Sequence, residues 1–187
     1  MAFDGFLKLD GIKGESQDAK HKDEIDILKF RFGAVQTGTQ ATGGGGGAGK
    51  AAMHDIHIVK KLDASSPYLF VNCACGAHIK EANLVVRKAG GTQLEYYKIK
   101  LTGLLISSVE PYGHAEHMEP LQYNLPASGQ LYNYGPETLV SGDEIPLEEV
   151  TLNFSTIEIA YQRQDSSGKA DGGPVIAGWD LKANKKL

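Results

Sequence analysis

The sequence predicts a mainly β protein: a closed antiparallel β-barrel of two packed sheets with one short flanking α-helix and extended loops. Three observations carry this. Apolar residues alternate with polar ones along most long segments, the period of a half-buried strand. Glycine, proline and polar clusters separate those segments. Only one stretch has both a helix start and a helix stop. Closing the sheet removes exposed strand edges, and the helix covers one side.

Phe3 to Leu9 reads as a first strand, and Asp10 to Lys22 as a polar loop in which lysine-flanked His21 is solvated. Asp23 to Gln36 reads as one long strand whose apolar parity changes between Ile27 and Leu28. A bulge there restores one inward face for Leu28, Phe30 and Phe32 and points Lys29 and Arg31 away from it. Met53 to Leu62 puts Ile56 and Ile58 on one face, His57 and Val59 on the other. Ser65-Ser66-Pro67 supplies a capping hydroxyl and an early proline, and Gly76 the stop, for a helix over Tyr68 to Ala74.

Ile79 to Arg87 alternates again, with Ala82, Leu84 and Val86 together, and Ala89 to Thr92 is a turn. Leu94 to Val109 is a second long strand, bent at Gly103. Glu149 to Arg163 pairs with it, its parity slipping between Phe154 and Ile157. Asp165 to Gly173 is a polar turn, and Pro174 to Leu181 a last strand carrying Trp179, the single tryptophan. The total is about seven strands in one domain spanning 1–187.

Composition excludes several classes. Net charge is −4, which argues against a nucleic-acid partner. No apolar run reaches transmembrane length, and MAFDGFLKLDG lacks the basic and apolar regions of a secretory signal. The expectation is a protein made in the cytoplasm, with no membrane insertion, leaving the cell only by a route without a cleaved signal. Cys73 and Cys75 cannot hold a structural zinc alone and are expected reduced.

Thr37 to Lys50 is the most unusual stretch. Within Thr42, Gly43, Gly44, Gly45, Gly46, Gly47, Ala48, Gly49 and Lys50, the run Gly44-x-x-x-x-Gly49-Lys50 fits the first seven positions of a phosphate loop. Position 51 is alanine, so the Mg²⁺-binding hydroxyl is missing, and the next segment alternates as a strand rather than opening a helix. The remaining readings are a hairpin loop or a contact with a neighbouring subunit.

Residues 110–147 hold five of the seven prolines, six acidic residues and no lysine or arginine. A connection this long is functional or disordered. His114 and His117 are a weak candidate metal pair, because their spacing converges only on a helix. Tyr112, Tyr123, Tyr132 and Tyr134 suit a protein-contact surface better. No nucleophile elbow is present.

Several stretches, in order, resemble the haemolysin-coregulated protein family, Hcp, the tube proteins of bacterial type VI secretion systems. They are GIKGES (11–16), HKDEIDI (21–27), GGGGGAGK (43–50), SSPYL (65–69), VRKAGG (86–91), EYYKIKL (95–101), SSV (107–109), VTLNF (150–154) and DGGPVIAGWDLKAN (171–184). The resemblance implies a compact barrel with a flanking helix. It implies homohexameric rings stacked into a hollow tube within a contractile sheath, with spike and effector partners and cargo in the lumen. It implies no enzymatic activity and no cofactor, and makes residues 42–50 a ring or subunit contact. Phe30-Arg31-Phe32-Gly33 resembles a family strand whose middle residue is often small and faces the ring's inner wall, so Arg31, with Lys29, is expected in the lumen. The 110–147 segment departs from the family by its length. Two other classes stay open on the residues alone: a monomeric barrel that binds a partner through 110–147, and a metal enzyme using His114 and His117.

Overall fold

The computed structural model describes residues 3–36, 51–88, 93–113, 122–124, 131–133 and 145–187. Strand β1 is Phe3–Leu9, as expected. The long strand expected after Asp23 is instead three pieces: β2 (Ile25–Ile27), β3 (Lys29–Arg31) and β4 (Ala34–Val35). The first break falls at the parity change. Ile25 and Ile27 are buried, but Leu28 turns outward and is 47% exposed, so the irregularity does not bring it inside. Phe30 and Phe32 pack half-buried against the core.

β5 (Ala52–Met53) pairs with β4, giving residues 37–50 a short two-stranded stem. β6 (Ile56–Lys61) alternates strictly, with Ile56, Ile58 and Lys60 buried. Helix α1 (Ser66–Cys75) ends at Gly76, which takes the left-handed conformation (φ 63°) and donates to the Cys73 carbonyl at 3.2 Å. Its start differs from expectation. The Ser65 hydroxyl donates to Asp63 Oδ1 at 2.5 Å instead of capping a helical N–H. Buried Leu69 fixes α1 on the core, and the helix packs on β8.

β7 (His78–Lys88) and β8 (Glu95–Tyr112) follow, then β9 (Gln122–Asn124) and β10 (Leu131–Asn133), which pair with each other. β11 (Leu147–Asn153), β12 (Thr156–Tyr161), β13 (Val175–Asp180) and β14 (Lys185–Lys186) complete the chain. The expected Glu149–Arg163 strand is β11 plus β12, broken where the parity slips. β14 had no signal in the sequence, being two lysines on a short hairpin.

β8 organises both walls. Its segment 97–102 lies between β7 and β12, and its segment 105–112 pairs with β11, which in turn pairs with β6. The change of partner is made possible at Gly103 (φ +58°), where the Ser155 hydroxyl bonds the Gly103 carbonyl at 2.9 Å. β1 pairs with β7 and β2, and β3 pairs with β6. The long ladder runs β14-β13-β12-β8-β11-β6-β3, with β7, β1 and β2 branching from β8. No sheet closes on itself among the described residues, because Leu28 separates β2 from β3.

The core lies between the walls: Leu7, Ile25, Ile56, Ile58, Leu84, Ile99, Leu104 and Leu152 are almost fully buried. Each such side chain contributes roughly 1.5–3 kcal/mol by leaving water. The β1–β2 connection is packed, not solvated. Gly14 donates to the Asp23 carbonyl at 2.9 Å, and a Cβ on Gly14 would meet the Glu24 oxygen at 2.5 Å, so only glycine fits there.

Candidate functional site

The outer face of β3, β6 and β11 is polar because the inward parity of these strands takes the apolar residues. Arg31 stands opposite His57, and His57 opposite Thr151. Two register positions along, on the same face, Lys29 stands opposite Val59 and Val59 opposite Glu149. Glu149 Oε1 accepts from Arg31 Nη2 at 3.3 Å and lies 2.6 Å from His57 Nδ1; a carboxylate oxygen only accepts, so Nδ1 donates to it. Arg31 remains 61% exposed in its side chain. An ion pair so accessible stabilises by less than about 1 kcal/mol. Its effect is positional: a guanidinium is held at the surface of a rigid sheet.

Beneath that face, the same two strands carry a buried charge network. Lys60 and Glu148 are register partners on the core side, each 1% exposed. Lys60 Nζ donates to Glu148 Oε1 at 2.6 Å and to Asp63 Oδ1 at 2.8 Å. The Ser66 hydroxyl donates to the same Glu148 oxygen at 2.5 Å and accepts from the Asp63 N–H at 3.1 Å. The network ties β6, β11 and the start of α1 together.

A second cluster locks the β1–β2 connection. Arg87 is 4% exposed and lies over the Phe6 ring at 4.7 Å. It donates to Asp4 Oδ2 at 3.0 Å, to Gln93 Oε1 at 3.3 Å and to Asp18. The Arg87 bond, and then the Lys20 N–H, hold the Asp18 carboxyl well below the usual carboxylate range. Phe6 also stacks on His21 at 4.2 Å, and His21 Nδ1 lies 2.8 Å from Glu24 Oε2. His21 is therefore buried and paired, contrary to the solvated position expected; the lysines beside it point out while its ring packs on Phe6. His21 Nε2 sits 3.5 Å from Glu95 Oε1 without hydrogen-bond alignment.

The other residues singled out from sequence are scattered. Thr42 to Lys50, His114, His117 and Tyr134 lie outside the described residues. Tyr123 and Tyr132 are cross-strand partners in β9 and β10, and Tyr112 ends β8. No group of three histidine, cysteine or acidic side chains is placed to hold a metal among the described residues. Nor is any helix among them long and apolar enough to cross a membrane. Cys73 and Cys75 are free thiols, and burial pushes the Cys73 thiol up. Exposed apolar side chains concentrate on α1 (Tyr68, Phe70, Val71) and on β13 (Val175, Ile176).

The sequence profile of a family described as "Type VI secretion system effector, Hcp" matches residues 6–161. Protein hcp1 of Pseudomonas aeruginosa is 40% identical over 185 residues, covering 98% of this chain and 98% of that protein. Among solved structures, Hcp1 from Salmonella typhimurium superposes with a TM-score of 0.70 at 34% identity, covering 100% of both chains. A structure described as "a type six secretion system protein" gives 0.81 at 29% identity, again over 100% of both. The fold and its matches define a structural, secreted component of a secretion machine rather than an enzyme. The chain belongs to the Hcp family of the type VI secretion system.

Proposed function

We propose that this chain is the subunit of a secretion tube: six copies close into a ring, and rings stack into a hollow tube that carries effectors. The family match over residues 6–161 carries this reading. The surface supports it. Exposed apolar groups on two separate elements, α1 and β13, suit a protein that meets several neighbours. The tube is sheathed, tipped by a spike, made in the cytoplasm and exported without a cleaved signal.

Within that reading the wall of each subunit is a closed barrel. Chain continuity through Leu28 joins β2, on β1, to β3, on β6, and the Leu28 N–H already bonds the Val59 carbonyl at 2.8 Å. The polar face of β3, β6 and β11 lines the lumen. Lys29 and Arg31 then give the inner wall rings of positive charge, and Glu149 and His57 hold the Arg31 guanidinium in place. Thr42 to Lys50, carried on the β4–β5 stem, contacts a neighbouring subunit. Tyr112, Tyr123, Tyr132 and Tyr134 belong to a partner surface.

Electron microscopy of the purified protein tests this. Six-fold rings with an open centre are expected, with Arg31 on the inner wall in the reconstruction. Isolated monomers, or rings with Arg31 on the outside or inside a subunit interface, overturn it.

A further inference from the structure

The polar face of β3, β6 and β11 continues onto β8, and its side chains fall in rows that cross the strands. One row runs Arg31, His57, Thr151, Ser108. Neighbouring strands lie about 4.8 Å apart, so this row spans roughly 14 Å. The Thr151 hydroxyl bonds those of Ser107 at 2.8 Å and Ser108 at 2.7 Å, and the row holds no aliphatic side chain. The next row on the same face runs Lys29, Val59, Glu149, Glu110. Cations therefore stand at the β3 edge, and carboxylates toward β8.

Arg31 is the accessible charge of this pairing. Its guanidinium donates to the protein only from Nη2, to Glu149 Oε1 at 3.3 Å. Its Nε and Nη1 groups have no hydrogen-bond partner among the described residues. Its side chain is 61% exposed, against 12% for Glu149. A molecule arriving from solvent thus meets the cation, while the acid that anchors it is covered. A guanidinium with N–H groups to spare takes a further carboxylate in the plane of its fork. The surrounding charges decide what bears that carboxylate. A nucleic-acid backbone needs an unbroken basic stripe. Here Glu149 and Glu110 interrupt the face, and the chain carries a net charge of −4. Separate carboxylates on a protein surface fit such a face better than a polyphosphate.

We infer that the cargo held against this wall is an acidic protein, that Arg31 selects it by taking its aspartate and glutamate side chains, and that the hold is weak at each site and multiplied around the ring. The inference rests on the ring reading and adds the class of cargo. One exposed guanidinium–carboxylate pair holds little on its own. A ring presents the same group six times, and linked weak contacts gain avidity without any new chemistry. Such a hold is lost once a few contacts break, which suits cargo that has to leave the tube. The Thr151 and Ser108 hydroxyls keep the rest of the row polar, so no apolar patch in it retains the cargo.

The test uses the full-length protein, Arg31→Gln, and Lys182→Gln, which removes one exposed charge between β13 and β14. The probe is a fluorescent peptide of about 20 glutamates, roughly 65 Å long when extended. A glutamine peptide and a single-stranded DNA of similar reach are the comparisons. Native mass reads ring formation, and fluorescence anisotropy reads binding. The net charge of the chain repels a glutamate peptide, so its binding reports a local cationic site. Wild-type rings are expected to bind the glutamate peptide and neither comparison. They are expected to release it as salt rises from about 0.1 M to about 1 M, where the screening length falls from about 10 Å to about 3 Å. Arg31→Gln rings are expected to bind it about tenfold more weakly or worse, and Lys182→Gln rings as wild type does. Wild-type rings that ignore the glutamate peptide overturn the inference and leave the ring reading intact. So do Arg31→Gln rings that bind like wild type, an equal loss in Lys182→Gln, or DNA bound as tightly as the glutamate peptide. Arg31→Gln protein that forms no rings places Arg31 in a subunit interface and overturns the inference as well. Wild type that forms no rings overturns the ring reading itself.

Discussion

Lys60→Met is expected to destabilise the fold by about 3–5 kcal/mol, because it leaves Glu148 charged and buried without its cation. Lys60 and Glu148 are both 1% exposed, and the bond between them is 2.6 Å long. Water cannot reach the abandoned carboxylate, and the Ser66 hydroxyl alone does not replace an ammonium. In a chain of this size each kcal/mol lowers Tm by about 2–4 °C, so the loss is visible in a simple melt. Lys60→Met/Glu148→Leu is expected to recover most of it, since removing both charges removes the desolvation cost. Asp63 retains its bonds from the Ser65 N–H and hydroxyl. A double variant no more stable than the single one would show that the network acts through shape rather than charge.

Arg87→Leu is expected to cost about 1.5–3 kcal/mol at neutral pH, the range for losing hydrogen bonds to charged groups. Its signature is the pH dependence. The Asp18 carboxyl is held below its ordinary value chiefly by Arg87. A lowered folded-state pKa contributes stability above the unfolded value of about 3.9, and that contribution fades as pH falls from there toward the lowered value. Wild type therefore loses this contribution on acidification, whereas the variant has little of it to lose. Melting curves at pH 7 and pH 3 are expected to show a smaller difference between the two proteins at pH 3. An unchanged difference would mean that Arg87 stabilises through its contacts with Phe6, Asp4 and Gln93 rather than through Asp18.

The two networks differ in how far the sequence marks them. Lys60 continues the inward parity of Ile56 and Ile58, and Glu148 continues that of Val150 and Leu152. The period therefore marks both as inward, and an inward lysine and an inward glutamate on one sheet face can neutralise each other. His21 carries no such sign. Its burial depends on Phe6 and Glu24 meeting it across a loop, and a polar composition hides that contact.

The strands themselves were legible wherever one face is buried. Phe3–Leu9, Ile56–Lys61 and His78–Lys88 follow the alternation closely, and Gly103 and Gly76 mark the bend and the helix stop as glycines needing positive φ. Strand continuity was not legible. Leu28 is apolar and lies in phase with Phe30, yet it faces outward, because its backbone follows β6 while β2 follows β1. β14 was invisible for a related reason: two exposed lysines pair only through their backbone, which leaves no pattern in side-chain polarity.

The candidate site divides the same way. The parity of Lys29 and Arg31 was readable, and both lie on the exposed side of β3. Their clustering with His57 and Glu149 was not, because Glu149 is brought in by a pairing of β6 with a strand far along the chain.

The measurement that bears most directly on the central claim is the native mass of the purified full-length protein at working concentration. A species of six chains, each 20.1 kDa, is the expected result. A single 20.1 kDa species at every concentration tried would contradict it.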